Sequence, residues 1–96
     1  MLMENIWVID ADDIIVGNMD ISNLTLDYYY LKFGNDFSYN RPNIFKNFKD
    51  YKWKYIGKLH EYASCDKPNM ISGKINGDYY LKSRRLGNRK KILINI

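Results

Sequence analysis

The segment Trp7-Val8-Ile9-Asp10-Ala11-Asp12-Asp13 sets three carboxylates within four positions, directly behind an apolar run. Carboxylates that close repel one another, and burying them without partners is costly, so a cation or open water must stand beside them. Asp10 and Asp12 are two apart; on an extended chain both side chains point to one side and Asp13 to the other. Two oxygens on one side suit a hard divalent cation such as Mg2+ or Mn2+, which keeps positions open for water or phosphate oxygens. The carboxyl end of a strand is also where α/β sheets gather their ligands. The competing reading is structural: aspartates at such places commonly cap a turn or a helix. D-x-D also arises often by chance.

A second group of interest is basic. Lys82, Arg84, Arg85, Arg89, Lys90 and Lys91 follow Tyr79 and Tyr80 near the end of the chain. On charge alone this is a nucleic-acid patch or a solvated tail, and the tyrosines favour the first because bases stack on aromatic rings. The whole chain shares this polarity. Residues 1–40 carry a balance of −6 and the remaining 56 a balance of +10, giving the net +4. An acidic front can hold a metal ion and a basic back phosphates; random clustering on a solvated surface gives the same balance. Heavy use of Ile, Asn, Lys and Tyr also fits an A/T-rich genome, which discounts the lysine count.

The elements that must position these groups are short and β-prone. Ile6 to Ile9 reads as a buried strand stopped by the aspartates, and Gly17-Asn18 as a turn. Residues 26–33 are rich in strand formers and are closed by Gly34-Asn35-Asp36, which predicts a hairpin. Residues 37–41 form a second candidate ended by Pro42, and 43–48 a third. Lys52 to Ile56 alternates basic and apolar residues, with Trp53 and Tyr55 on one face of a half-buried strand. Residues 59–64 continue it after a break at Gly57, 66–77 read as a loop, and 78–83 as a last strand. The end of the chain is basic and then apolar. No long helix, internal repeat or low-complexity linker is evident, so the arrangement reads as mostly β.

With 96 residues, 46% hydrophobic and 16% aromatic, the chain is one packed domain at most. No apolar run reaches the roughly 18–20 residues of a membrane span, and the first residues lack a signal peptide's basic and apolar regions. A lone cysteine, Cys65, excludes an internal disulfide. These features predict a cytoplasmic or other reducing interior rather than secretion.

Beyond these local readings, WVIDADDIIVG resembles the D-x-D segment of family 2 nucleotide-sugar glycosyltransferases with the GT-A fold. FSYNRPNIFKN, YKWKYIGKLHEY and GDYYLKSRRLGNRKK resemble successive blocks of one branch of that superfamily, found in bacteria and large DNA viruses. There a Trp, Gly, His-Glu block precedes a Tyr-Tyr, Ser-Arg-Arg, Gly block, and order and spacing agree over most of residues 5–90. The resemblance implies an α/β class overall, with this portion a mixed sheet of short strands and few helices. It implies transfer of a sugar from a nucleotide-sugar donor to an acceptor, with Mn2+ or Mg2+ as cofactor.

Residue by residue, the resemblance implies that Asp12 is the direct metal ligand and that Asp10 lies nearer the ribose or a metal-bound water. The ion would act as a Lewis acid on the departing diphosphate. It implies His60 as a third ligand and Glu61 as the base toward an acceptor hydroxyl. It allows Trp53 to stack on a sugar, and Arg84 or Arg85 to cover diphosphate oxygens. Without the resemblance, His60 reads as a hydrogen-bonded packing residue and Trp53 as a core aromatic. Asp13 reads as shaping the turn and Asp78 as structural.

A complete GT-A domain is more than twice this long, and its nucleotide-binding strand–helix units precede D-x-D. The expectation is therefore a single partial domain over 1–96, the metal- and acceptor-side half, inactive alone. The strand at 6–9 would then have an open edge inviting self-association. Two other classes compete: a small basic nucleic-acid-binding module using residues 79–91, and a structural or interaction fragment that completes another subunit through its open edge.

Overall fold

The computed structural model describes residues 4–56, 62–84 and 90–96. Every regular element among them is a strand: β1 Asn5–Asp10, β2 Asp13–Asp20, β3 Tyr28–Phe33, β4 Tyr39–Lys46, β5 Lys54–Ile56, β6 Tyr62–Ser64, β7 Ser72–Lys74, β8 Asn76–Ser83 and β9 Lys91–Asn95. The described residues are all-β, which corrects the α/β class implied by the glycosyltransferase resemblance. The physical reason lies in the pattern: apolar residues recur every second position, as in buried Tyr29, Leu31 and Phe33 on β3. No described helix is long and apolar enough to cross a membrane.

The main sheet runs β2-β8-β3-β4-β1-β9, with β7 also beside β3. Its pairs are antiparallel except where β7 and β8 lie parallel to β3. The two end strands are continuations of interior ones. β2 follows β1 after the turn Ala11-Asp12, and β9 follows β8. One long antiparallel pair, β1–β2 against β8–β9, therefore bends at Asp12 and curls the sheet. Concave-side residues Trp7, Ile9, Tyr29, Leu31, Ile44, Ile75 and Leu81 fill the core together with Phe33 and Tyr79.

Several sequence expectations change here. β1 is not an open edge: β4 pairs one side and β9, from the basic-then-apolar end of the chain, pairs the other. Gly17-Asn18 is not a turn but lies inside β2, which pairs with β8 over its full length. Pro42 does not end a strand. β4 runs through it because a bulge shifts the β3 register between Tyr29 and Tyr30, so that Pro42 faces Tyr30 and Ile44 faces Tyr29. The expected hairpin forms, but its connection runs over 34–38 rather than 34–36, with Gly34 at φ 81°. The supposed loop at 66–77 contains β7 and the start of β8.

Asp27 secures that segment. It is 9% exposed, its Oδ2 accepts the Ile71 N–H at 2.8 Å and sits 3.5 Å from Lys67 Nζ, and its own N–H donates to the Ile71 carbonyl. Asp27→Ala leaves the Ile71 N–H without its acceptor and is expected to cost about 1–3 kcal/mol in a urea melt.

Candidate functional site

The acidic turn is held between the end of β8 and the start of β9. The Ala11 N–H donates to the Lys90 carbonyl at 2.8 Å, and the Arg84 N–H donates to the Asp12 carbonyl at 2.9 Å. The Arg84 guanidinium adds longer bonds, Nε to the Asp12 carbonyl at 3.3 Å and Nη2 to the Ala11 carbonyl at 3.4 Å. Lys91 Nζ lies 3.3 Å from Asp10 Oδ1 and 4.9 Å from the centroid of the Tyr55 ring. The chain itself thus supplies cations beside its crowded carboxylates.

Asp12 is buried, at 6% exposure, whereas the Asp10 and Lys91 side chains stay partly exposed. An exposed pair of that kind contributes about 0.2–1 kcal/mol. Burial, followed by the Asp10 carboxylate, pushes the Asp13 carboxyl above its ordinary range, against a backbone hydrogen bond from Asp10 and the charge of Arg41. A carboxyl whose pKa rises on folding holds its proton more tightly in the native state, so stability falls as pH climbs from the unfolded value through the folded one. Asp13→Asn is accordingly expected to raise the melting temperature at pH 7. The gain should vanish in acid well below the ordinary carboxylate range, where the parent carboxyl is already neutral in both states.

Of the residues singled out from the sequence, the turn brings together Asp10, Asp12 and Arg84. Tyr55, beside Lys91, belongs to β5, which pairs antiparallel with β6. His60, Glu61, Arg85 and Arg89 themselves lie outside the described residues. Trp53 sits elsewhere, on the convex side of the sheet. Its ring is 4.6 Å from Phe45, 5.9 Å from Tyr28 and 6.3 Å from Phe48, and its Nε1–H donates to the Lys46 carbonyl at 3.0 Å. Those contacts are those of a packing residue. Asp78 is exposed, opposite Asn18.

Among the described residues no group of three His, Cys, Asp or Glu side chains is placed to hold a metal ion. The chemistry the described residues offer at the turn is that of Arg84 and Lys91 set beside Asp10 and Asp12. Sequence reasoning passed over Lys91 and Tyr55 as partners of the turn. The available signal was that Lys91 opens an apolar, strand-prone run and so had to stand at a strand's start.

A groove of about 370 Å3 opens elsewhere, lined by Asp20, Leu26, Tyr29 and Lys74 among others. It lies at the far end of β2 from Asp13, roughly 23 Å away for an eight-residue strand. No protein-family model, curated protein or solved structure matches the chain.

Proposed function

We propose that this chain is a glycosyltransferase-like module that takes the diphosphate of a nucleotide-sugar donor at the β1–β2 turn. The observation that carries the reading is convergence. Arg84 of the Ser-Arg-Arg block bonds to a turn 72 residues away, and Lys91 reaches Asp10 across 81. Lys91 also reaches the ring of Tyr55 on β5.

The corner's chemistry fits an anion. Guanidinium and ammonium donors suit phosphate oxygens, and cations fixed beside a departing diphosphate stabilise the charge that grows there as the sugar–phosphate bond breaks. Asp10 holds Lys91 in position until phosphate oxygens compete for it. Glu61 is the base that the resemblance assigns to the acceptor hydroxyl. Calorimetric titration with a nucleoside diphosphate, with and without Mn2+, tests the reading. Arg84→Ala should weaken binding tenfold or more, about 1.4 kcal/mol. Absence of binding in the parent under both conditions, or binding untouched by the substitution, contradicts it.

A second reading rests on the convex face of β3, β7 and β8. Tyr28, Tyr30 and Lys32 alternate there with the buried residues of β3, Tyr80 and Lys82 with those of β8, and Lys74 stands opposite Tyr30. Interleaved rings and ammonium groups suit single-stranded nucleic acid. Tyr79, expected to serve there, points into the core instead, its O–H donating to the Ile75 carbonyl. On this reading, binding to single-stranded RNA should weaken steeply with salt and drop on Tyr30→Ala.

A further inference from the structure

Among the described residues, β2 and β9 stand at the two ends of the main sheet's path and differ in how well they are protected. β2 begins and ends on a carboxylate, Asp13 and Asp20, and carries Gly17 at φ 94° in its middle. Charges and irregular backbone of that kind discourage pairing with another chain. β9 has neither. It is Lys91-Ile92-Leu93-Ile94-Asn95, with Ile92 44% exposed, Leu93 66% and Ile94 37%.

The hydrogen-bond phase of β9 follows from its pairing with β1. Ile96 exchanges both bonds with Asn5, and Lys90 accepts from Ala11. In an antiparallel ladder bonded and non-bonded pairs alternate, so Ile92 and Ile94 also turn their N–H and C=O groups toward β1. Lys91, Leu93 and Asn95 therefore turn theirs outward.

From this phase we propose that β9 pairs antiparallel with β9 of a second copy of this chain, about a two-fold axis at Leu93. That register makes Leu93 face its own copy as a bonded pair. Lys91 faces Asn95 of the other copy, so no two like charges stand opposite each other. Ile92 faces Ile94 at the closely spaced non-bonded positions, where side chains touch best. Centring the axis on Leu93 uses all five residues of the strand; centring it on Ile92 or Ile94 leaves part of the strand unpaired. The contact is isologous and closes at two copies.

Sedimentation velocity across a concentration series tests this. The parent should pass from monomer to dimer, and Leu93→Lys, which sets two ammonium groups face to face, should raise the dimer dissociation constant at least tenfold. Leu93→Pro should act likewise while keeping the parent's circular dichroism, because the N–H it deletes points away from β1 and edge strands tolerate proline there. Ile15→Lys on β2 should leave the dimer intact. A parent that stays monomeric at every concentration overturns the proposal. So does a dimer unaffected by both Leu93 variants, or one lost through Ile15→Lys. Open-ended growth beyond two copies would point to pairing between unlike edges and equally overturns it.

Discussion

Leu31→Ala should lower stability by about 2–5 kcal/mol, a large part of the roughly 5–15 kcal/mol available to a small domain. Leu31 has no exposed surface and sits in mid-β3, with β4 on one side and β7 and β8 on the other. Its neighbours in the core, Ile44 and Leu81, are equally shut off from solvent and belong to the two flanking strands. A cavity at that point is lined from three strands at once and cannot close without moving the sheet. Urea denaturation should show the midpoint falling with little change in slope. A loss under about 1 kcal/mol would mean that the curled sheet does not enclose a packed core.

The second large effect concerns Gly17. Its φ of 94° lies where side chains are strained, and a Cβ there would strike the carbonyl oxygen of Asp78 and come within 2.9 Å of the Tyr79 Cα. These neighbours are backbone atoms of the paired strand, so β8 itself would have to shift. Gly17→Ala is expected to cost at least about 1–3 kcal/mol from conformation alone, with the overlap added. Gly73→Ala is the control. There an added Cβ meets side-chain atoms, nearest the flexible tip of Leu26 at 2.7 Å, with no positive φ. A thermal melt should separate the two clearly. Equal effects would indicate that β2 does not follow β8 in this register.

The fold was legible where the chain obeys a two-residue period and opaque where a local signal conflicts with tertiary pairing. Trp7, Val8 and Ile9 announce β1, and the tyrosine-rich run before Gly34 announces β3 and its hairpin. β2 was hidden because Gly17-Asn18 has turn chemistry; only the long partner β8 turns it into strand, with both glycines of that pair absorbing the irregular backbone. Pro42 misled for a related reason, since the bulge that accommodates it depends on β3. β9 carries a strand-prone sequence, but its role, covering the far side of β1, depends on contacts some eighty residues apart and leaves no local trace.

The site was legible in part. The aspartate cluster calls for a cation or open water by electrostatics alone, and Arg84 was named. That Lys91 is one of the cations beside the cluster, and that Tyr55 packs against it, depends on how the sheet curls. Trp53 divides by environment: an exposed ring can stack on a sugar, whereas this one is committed to Phe45 and the Lys46 carbonyl.

The corner's role is tested most directly by following backbone amide resonances while a nucleoside diphosphate is added to the intact chain. The largest shifts should fall on Ala11, Asp12, Arg84 and Lys91 and move together along one binding curve. Shifts centred instead on Tyr30, Lys32 and Tyr80, or no shift at any residue at millimolar ligand, would contradict a diphosphate site at the acidic turn.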